Sequence, residues 1–449
     1  MKSKSIDMTE GSIVNRVLMF ALPIILGNIL QQLYTTVDVL IIGHYCGDTS
    51  MAAVGTSSQP VEVLLCIFMG MGAGVSILVS QCIGAKDMKR VAGLVKTAHS
   101  FVYIAGILLT VAGYFFAPLM LRLMKVPDDV FVTAVVYTRF VFAGTIGNIG
   151  YNLNAGILRG IGDSKASLRF LVISCVTNIC LDYILVAVAG MDVEGAALAT
   201  SVAMFVSWFA SIAYIRKNAP GLCMTVLPSG FDSGYFKKIV KLGLPMGLNN
   251  SLYSFGHVAM QTMINAQGAA FMAGVAAASR YTGLANISVT ALSGASTTFA
   301  GQNYGAGKYD RLRKGQYVIP FMSGAVTLAL GLLMTGIRMP VMRLFTNTEE
   351  VLFYAGRYAV VILLSQWMFG VFNSMMSMAN GVGSVKYTVV VNILLLWAVR
   401  IPAAGFICRY MDGTWLMLSI PASFFIGMVC MILYFVFSPY WKKLVGTKT

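Results

Sequence analysis

Charged side chains are scarce in this sequence. Asp, Glu, Lys and Arg make up 11% of its 449 residues, whereas a soluble globular protein carries about 25%. Hydrophobic residues make up 57% of the chain and the mean hydropathy is +0.77. This composition leaves no room for a separate soluble domain, so we expect an integral membrane protein with nearly all of its length in the bilayer.

Signals for metal binding, disulfides and catalysis are also lacking. The eight cysteines include no C-x-x-C pair, and the three histidines are scattered along the chain. We interpret the cysteines as apolar packing residues and expect no zinc site. An intramembrane enzyme would need a nucleophile–base pair or metal ligands, and we find neither. We therefore expect no enzyme and no cofactor.

Basic residues outnumber acidic ones, which gives a formal charge of +15. The lysines and arginines fall mainly in short loops at one set of segment ends, as the positive-inside rule produces. This excess therefore predicts topology and not nucleic-acid binding. The basic loops should face the cytoplasm, and an even number of spans would put both termini there. We expect a multi-pass protein of the cytoplasmic membrane.

The apolar segments number twelve, which predicts an all-α membrane protein of twelve helices. They run approximately over 14–43, 52–83, 90–117, 130–158, 166–189, 194–216, 236–265, 271–300, 312–337, 350–379, 386–409 and 414–438. Small residues, as in MGMGAG at 69–74, lie inside an apolar helix and favour close helix packing over phosphate binding.

The chain repeats itself at an offset of 221 residues. QCIGAKDMKR at 81–90 matches QNYGAGKYDR at 302–311, and RGIGDSK at 159–165 matches NGVGSVK at 380–386. We therefore predict two six-helix lobes, 1–220 and 221–449, that are related by a pseudo-twofold axis. In such repeats the substrate cavity lies between the lobes.

Acids inside the apolar segments occur only in the first repeat. Asn28, Gln31, Thr35 and Asp38 step by three, four and three residues, so they form one polar stripe on a helix. An acid near mid-membrane costs about 2.5–3.5 kcal/mol even on the milder insertion scale, and is functional by default. The alternative is a stripe that joins helices, or an Asp38 close to the interface.

A second acid, Asp182, shares one face of the fifth segment with Ser174 and Asn178. If this face meets the Asp38 stripe, two carboxylates share a small dry volume, where they must share a proton or bind a hard cation such as Na⁺. For Asn178 and Thr200 the alternative is simple interhelical hydrogen bonding. We expect Arg139, Arg280 and Arg400 near interfaces or helix ends.

Several motifs together resemble the multidrug and toxic compound extrusion (MATE) transporters over nearly the whole chain. They are LPIILGNILQQLYTTVD, AAVG, Q-x-x-GA-K, LRGIGDSK with its partner NGVGSVK, and N-x-x-x-D in the fifth segment. Because the second repeat lacks membrane carboxylates, the chain looks like the DinF-type branch of that family.

The resemblance implies twelve helices in two lobes, a V-shaped central cavity, and efflux driven by H⁺ or Na⁺. It assigns the cation site, for a proton or Na⁺, to Asp38, Asn178, Asp182 and Thr200. First-lobe cavity positions match Gln31, Tyr34, Thr35, Tyr137, Asn152 and Met204; packing is the alternative for any one of these polar and aromatic residues. Where relatives have another amide after Asn152, this chain has Ala155.

His257 stands where the first repeat has Thr35, at an offset of 222, and we expect it to line the cavity as a hydrogen-bonding wall. The overall reading is a monomeric exporter of drugs or toxic organic compounds, amphipathic and often cationic. A flippase for lipid-linked precursors, from the same superfamily, is the alternative. It would need a strongly cationic cavity, for which isolated Arg139 and Arg280 give thin support.

Overall fold

The computed structural model describes residues 5–124 and 126–446, with side chains for all of these except 48, 49, 58–60, 62, 63 and 445. The helices of the first half are α1 (Ile13–Tyr45), α2 (Gly47–Gly84), α3 (Met88–Leu123), α4 (Asp128–Ala143), α5 (Thr145–Gly160), α6 (Ser164–Asp182) and α7 (Val193–Asn218). Those of the second half are α8 (Ser233–Asn265), α9 (Ala269–Gly305), α10 (Tyr309–Met342), α11 (Glu349–Gly381), α12 (Val385–Leu394), α13 (Ile401–Tyr410), α14 (Ser419–Phe437) and α15 (Pro439–Gly446). Short 3₁₀ turns cover Pro220–Leu222 and Gly413–Leu418.

Two π-helical segments occur at similar places in the two repeats. Tyr183–Val188 continues directly from α6, and Leu395–Arg400 joins α12 to α13. A π segment widens the helix by one residue per turn and is frequently found at functional sites. Each of these segments adjoins a charged residue, Asp182 in the first repeat and Arg400 in the second.

Nine helices of the described chain are long and apolar enough to span a membrane, or ten if α4 and α5, bent by 46°, form one span. The predicted segment 130–158 is therefore broken, next to Gly144. The remaining two predicted spans correspond to α8 and α9. Their hydropathy is lower because α8 carries lysines, asparagines and His257, and α9 is rich in Ala, Gly, Ser and Thr.

The chain packs into two compact units. Unit 1 contains Met1–Ile6 and Leu26–Leu248, and unit 2 contains Asp7–Ile25 and Asn249–Thr449. Because α1 and α8 are each continuous across a unit boundary, each contributes its first part to one unit and its second part to the other. The sequence halves 1–220 and 221–449 remain the predicted repeats.

The first part of α8 belongs to unit 1 because it packs closely on α2. A Cβ on Gly70 would lie 2.2 Å from the backbone nitrogen of Gly247, and one on Gly74 would lie 2.8 Å from that of Gly243. Such distances leave space for hydrogen only, so glycines on both helices permit backbone contact. This confirms the close packing expected for MGMGAG.

The matched RGIGDSK and NGVGSVK motifs are tight turns before α6 and α12. Gly162 has a φ of +92° and Gly383 a φ of +98°, a region that favours glycine. Asp163 then caps α6, since its carboxylate accepts a hydrogen bond from the Ala166 amide at 3.0 Å. The repeated motif thus fixes where α6, which carries Asn178 and Asp182, begins.

Candidate functional site

Helices α1 and α6 run side by side in unit 1. A Cβ on Gly27 of α1 would lie 3.1 Å from Leu171 Cδ2 of α6. Asp38 follows Gly27 by 11 residues (38 − 27), and Asp182 follows Leu171 by 11 residues (182 − 171). Eleven residues are about three helical turns, so a contact at one pair predicts a contact at the other when the helices are parallel.

The side chains of Asp38 and Asp182 lie within hydrogen-bonding range of each other. Asp182 is fully buried at the end of α6 and Asp38 is half-buried. Asp38 Oδ1 and both carboxylate oxygens of Asp182 are buried acceptors without a donor among the described residues. Two facing anions repel each other, so a shared proton or a bound cation would stabilise this pair.

Asn178 and Thr200 extend this group of oxygens. Asn178 lies one turn before Asp182, and its Nδ2 donates to Thr200 Oγ1 of α7 at 3.2 Å. Asn178 Oδ1 is buried without a donor in the part of the chain that the structure describes. The donor set therefore consists of oxygens, which suit a proton or a hard cation such as Na⁺.

Of the predicted cavity residues, Tyr34 and Met204 lie nearest to this group. Tyr34 precedes Asp38 by one turn and lies within electrostatic range of both carboxylates. Met204 is buried in the core cluster against which Tyr34 packs, and its Sδ accepts from Ser174 Oγ at 3.8 Å. The aromatic ring and the thioether thus provide apolar surface beside the polar group.

The other predicted cavity residues are more scattered. Gln31 and Thr35 are exposed on α1, where Thr35 Oγ1 donates to the Gln31 carbonyl at 2.9 Å. Asn152 donates to Asn148 Oδ1 one turn earlier in α5, at 3.0 Å. Tyr137 is half-buried on α4. His257 is exposed on α8 in unit 2, and its ring meets that of Tyr253 edge-on at 4.9 Å.

The expectation that Arg400 lies near an interface or at a helix end is wrong. Arg400 ends the second π segment, well inside the membrane-spanning helix Val385–Tyr410, and is only 8% exposed. A single arginine inside a long apolar segment was a visible signal that the sequence interpretation undervalued. By contrast, the sequence offered no signal for the π segment after Asp182.

Comparison with known proteins places this geometry in a family. The sequence model of MatE matches the chain twice, over residues 23–184 and 245–405. The chain is 27% identical over 446 residues to "Probable multidrug resistance protein YoeA" of Bacillus subtilis (strain 168), covering 97% of this chain and 96% of the relative. It is 27% identical over 442 residues to "Probable multidrug resistance protein YpnP" of the same organism, covering 98% of each.

A solved structure shows the same fold. An outward-facing MATE family transporter of the MOP superfamily superposes with a TM-score of 0.90, at 21% identity, over 100% of both chains. The double match to the family model agrees with the predicted repeat, since 245 − 23 and 405 − 184 give offsets of 222 and 221. The predicted all-α fold, twelve transmembrane helices in two six-helix lobes, is confirmed. The chain therefore belongs to the MATE family of membrane transporters.

Proposed function

We propose that this transporter exports amphipathic, often cationic small molecules across the cytoplasmic membrane by antiport with H⁺ or Na⁺. Efflux of varied compounds is supported by the relatives that are named multidrug resistance proteins. The observation that carries the coupling assignment is the pair of facing carboxylates, Asp38 and Asp182, with unmatched buried oxygens.

In this proposal the carboxylate pair exchanges its bound ion for substrate. A proton would turn one of the facing oxygens into a donor for the other, and Na⁺ would take the oxygens of Asp38, Asn178, Asp182 and Thr200 as ligands. Either ion removes the repulsion between the two anions. The electrostatic state of unit 1 would thus depend on the ion supply on each side of the membrane.

Substrate would bind next to this site, along the exposed face of α1. Tyr34 and Met204 offer an apolar surface for a hydrophobic ring, and the carboxylates attract a positive group. Gln31, Thr35, Tyr137 and Asn152 would add polar contacts. We further propose a monomer of the DinF-like branch with both termini in the cytoplasm.

Pro23 is placed to let α1 bend during the cycle. It lies inside α1, two residues before Ile25, the last residue of the helix that belongs to unit 2. Proline removes one backbone hydrogen bond and weakens the helix locally. Ion binding at Asp38 would then change the packing of the unit 1 part of α1 without unfolding the rest.

The proposal is tested by efflux from liposomes that contain the purified protein and a fluorescent lipophilic cation. A pH gradient and a Na⁺ gradient are imposed separately. We expect one of them to drive efflux. Asp38→Asn and Asp182→Asn should remain folded but lose the response, because each removes a titratable charge and retains the size of the side chain.

Glu194→Gln is the matched control. Glu194 is a carboxylate of the same unit, in the first turn of α7, and it adjoins neither Asp38 nor Asp182 in sequence. Its neutralisation should leave gradient-driven efflux intact. Normal gradient dependence in either aspartate variant would contradict the two-carboxylate mechanism, as would an equal loss in Glu194→Gln.

A further inference from the structure

Unit 2 holds a buried positive charge that the coupling site does not use. Arg400 follows 15 residues after Val385 and precedes Tyr410 by 10 in the same membrane-spanning helix. A charge deep in the membrane costs at least about 2.5–3.5 kcal/mol, so arginines there normally face a partner or a ligand. The surroundings of Arg400 indicate which of these it has.

Two hydroxyl groups and two aromatic rings orient the guanidinium. Nε donates to Ser423 Oγ at 2.9 Å, and Nη1 donates to the Tyr253 hydroxyl at 3.1 Å. The guanidinium carbon lies 5.2 Å from the centre of the Phe424 ring and 5.9 Å from that of Tyr253. These neutral groups fix the position of the charge but do not compensate it.

No acid of the described chain forms an ion pair with Arg400. The ion pairs of residues 5–124 and 126–446 join Arg90 to Asp87 and Lys308 to Glu10. In the second repeat the acids stand at helix starts or in loops, as Asp310, Glu349, Glu350 and Asp412. A buried cation without an anion is strongly unfavourable, so a bound anionic group would stabilise it.

The donors of Arg400 favour a flat anion with two oxygens. A guanidinium has five N–H donors, and the two hydrogen bonds seen among the described residues use one on Nε and one on Nη1. The rest lie on Nη1 and Nη2, an edge that matches a carboxylate in bidentate geometry. The Tyr253 hydroxyl accepts from Nη1, so its own hydrogen is available for the same ligand.

The two repeats place opposite charges at similar depth. Asp163 and Ser384, related by the 221 offset, precede α6 and α12. Asp182 follows Asp163 by 19 residues (182 − 163), and Arg400 follows Ser384 by 16 (400 − 384), a difference of one helical turn. Both residues adjoin a π segment. The duplicated scaffold thus provides an acid in one unit and a guanidinium in the other.

We propose that Arg400, Tyr253 and Ser423 bind the carboxylate of a small amphipathic substrate. This inference rests on the proposed function, because the ligand is the transported molecule, and it extends the substrate class to organic acids and zwitterions. One guanidinium with two hydroxyls matches the single charge of a carboxylate. A phosphate group carries up to two charges and would need further cations, which the described contacts of Arg400 do not include.

The test measures binding to the purified full-length protein in detergent, without any gradient. Dansylglycine and its methyl ester share a fluorescent body and differ in the carboxylate. We expect the acid to bind about ten-fold more tightly than the ester, as a difference of one charge-assisted contact implies. Arg400→Gln should reduce this preference to about two-fold or less by removing the charge and the bidentate edge.

Three further variants separate the contributions. Arg400→Lys keeps the charge without the planar fork and should retain only part of the preference. Tyr253→Phe should weaken binding of the acid about three-fold and leave the ester unchanged. Arg409→Gln is the matched control, because Arg409 is exposed near the end of α13, and it should bind both probes as the parent protein does.

Four outcomes would overturn the site. They are equal binding of acid and ester by the parent protein, a preference that survives in folded Arg400→Gln, unchanged acid binding in Tyr253→Phe, and displacement of dansylglycine by inorganic phosphate or chloride at lower concentration than by acetate. If Arg400→Gln does not fold, Tyr253→Phe decides. Failure here leaves the gradient experiments on Asp38 and Asp182 unaffected, and their failure leaves this binding preference measurable.

Discussion

Asn178 of α6 and Thr200 of α7 are joined by a hydrogen bond of 3.2 Å between Nδ2 and Oγ1. Because the amide nitrogen is occupied, the opposite end, Oδ1, is the atom left without a donor within the described chain. Asn178 is 2% exposed, so it has little access to other partners. The hydrogen bond therefore orients the amide so that its oxygen can serve as an ion ligand beside Asp182.

Thr200→Val should weaken ion coupling without abolishing the fold. Valine has nearly the same shape but lacks the hydroxyl, so Asn178 loses its acceptor and is free to rotate. We expect a stability loss of about 1 kcal/mol and about a three- to ten-fold higher ion concentration for half-maximal efflux. Efflux is measured in liposomes at graded concentrations of the coupling ion. Thr200→Ser, which keeps the hydroxyl, should match the parent protein, and an equal defect in both variants would point to packing.

The close contact of α2 with α8 makes Gly247 sensitive to substitution. A Cβ on Gly247 would lie 2.6 Å from Cα and from the carbonyl oxygen of Ile67, both of them backbone atoms. Gly247→Ala should therefore force the helices apart and cost about 1–3 kcal/mol. The measurement is the thermal unfolding temperature in detergent. Gly336→Ala in α10 is the control, because a Cβ there meets nothing within 4 Å, and no loss is expected.

The fold was predictable because its signals are local and repeated. Twelve apolar segments give the helices, and the offset of 221 residues, carried by motifs such as RGIGDSK, gives the repeat. The packing units were not predictable in the same way. Exchange of the first parts of α1 and α8 between the units depends on contacts such as Gly70 with Gly247, which lie far apart in sequence.

For the candidate site, the sequence predicted which residues matter better than where they lie. Helical periodicity put Asn178 and Asp182 on one face, but only the packing of α1 on α6 shows that Asp38 meets it. Arg400 was placed incorrectly because a lone arginine is often a helix-end residue, and its partners Tyr253 and Ser423 come from two other helices. Contacts of this kind arise from tertiary packing and have no periodic signal.

Lys86 occupies a strained position that its repeat partner resolves. Lys86 has a φ of +58° and the equivalent Gly307 a φ of +66° (86 + 221 = 307). Such a φ costs about 1–2 kcal/mol for a residue with a side chain, while glycine gives up about 0.5–1 kcal/mol of entropy. Lys86→Gly should therefore stabilise the protein by about 0.5 kcal/mol. Thermal unfolding of the purified protein in detergent measures the difference.

Ala85→Gly is the matched control for Lys86. Ala85 adjoins Lys86 in the same exposed turn but has a φ of −72°, which any residue adopts. Glycine there should lower stability by about 0.5–1 kcal/mol through its larger entropy in the unfolded chain. Opposite signs at neighbouring positions would attribute the effect to backbone conformation. A loss of stability in Lys86→Gly would contradict this account.

His257 should affect substrate binding and leave ion coupling unchanged. It is exposed on α8 and contacts the ring of Tyr253, whose hydroxyl accepts from Arg400. A proton carrier here would need an acid to stabilise its positive charge. The second repeat offers no acid well inside its spans, and the nearby guanidinium opposes a second cation. We therefore expect His257 to act as a neutral hydrogen-bonding group of the cavity.

The comparison that tests this is His257→Gln against Asp182→Asn in one liposome assay. Glutamine keeps a hydrogen-bonding side chain but cannot carry a proton, so the variant should change the apparent substrate affinity about two- to ten-fold and keep its full gradient dependence. Asp182→Asn should show the opposite pattern, with substrate still bound and the gradient without effect. If His257→Gln loses ion coupling while Asp182→Asn retains it, the coupling residue lies in the second repeat, because a single titratable group cannot be absent from the variant that still responds.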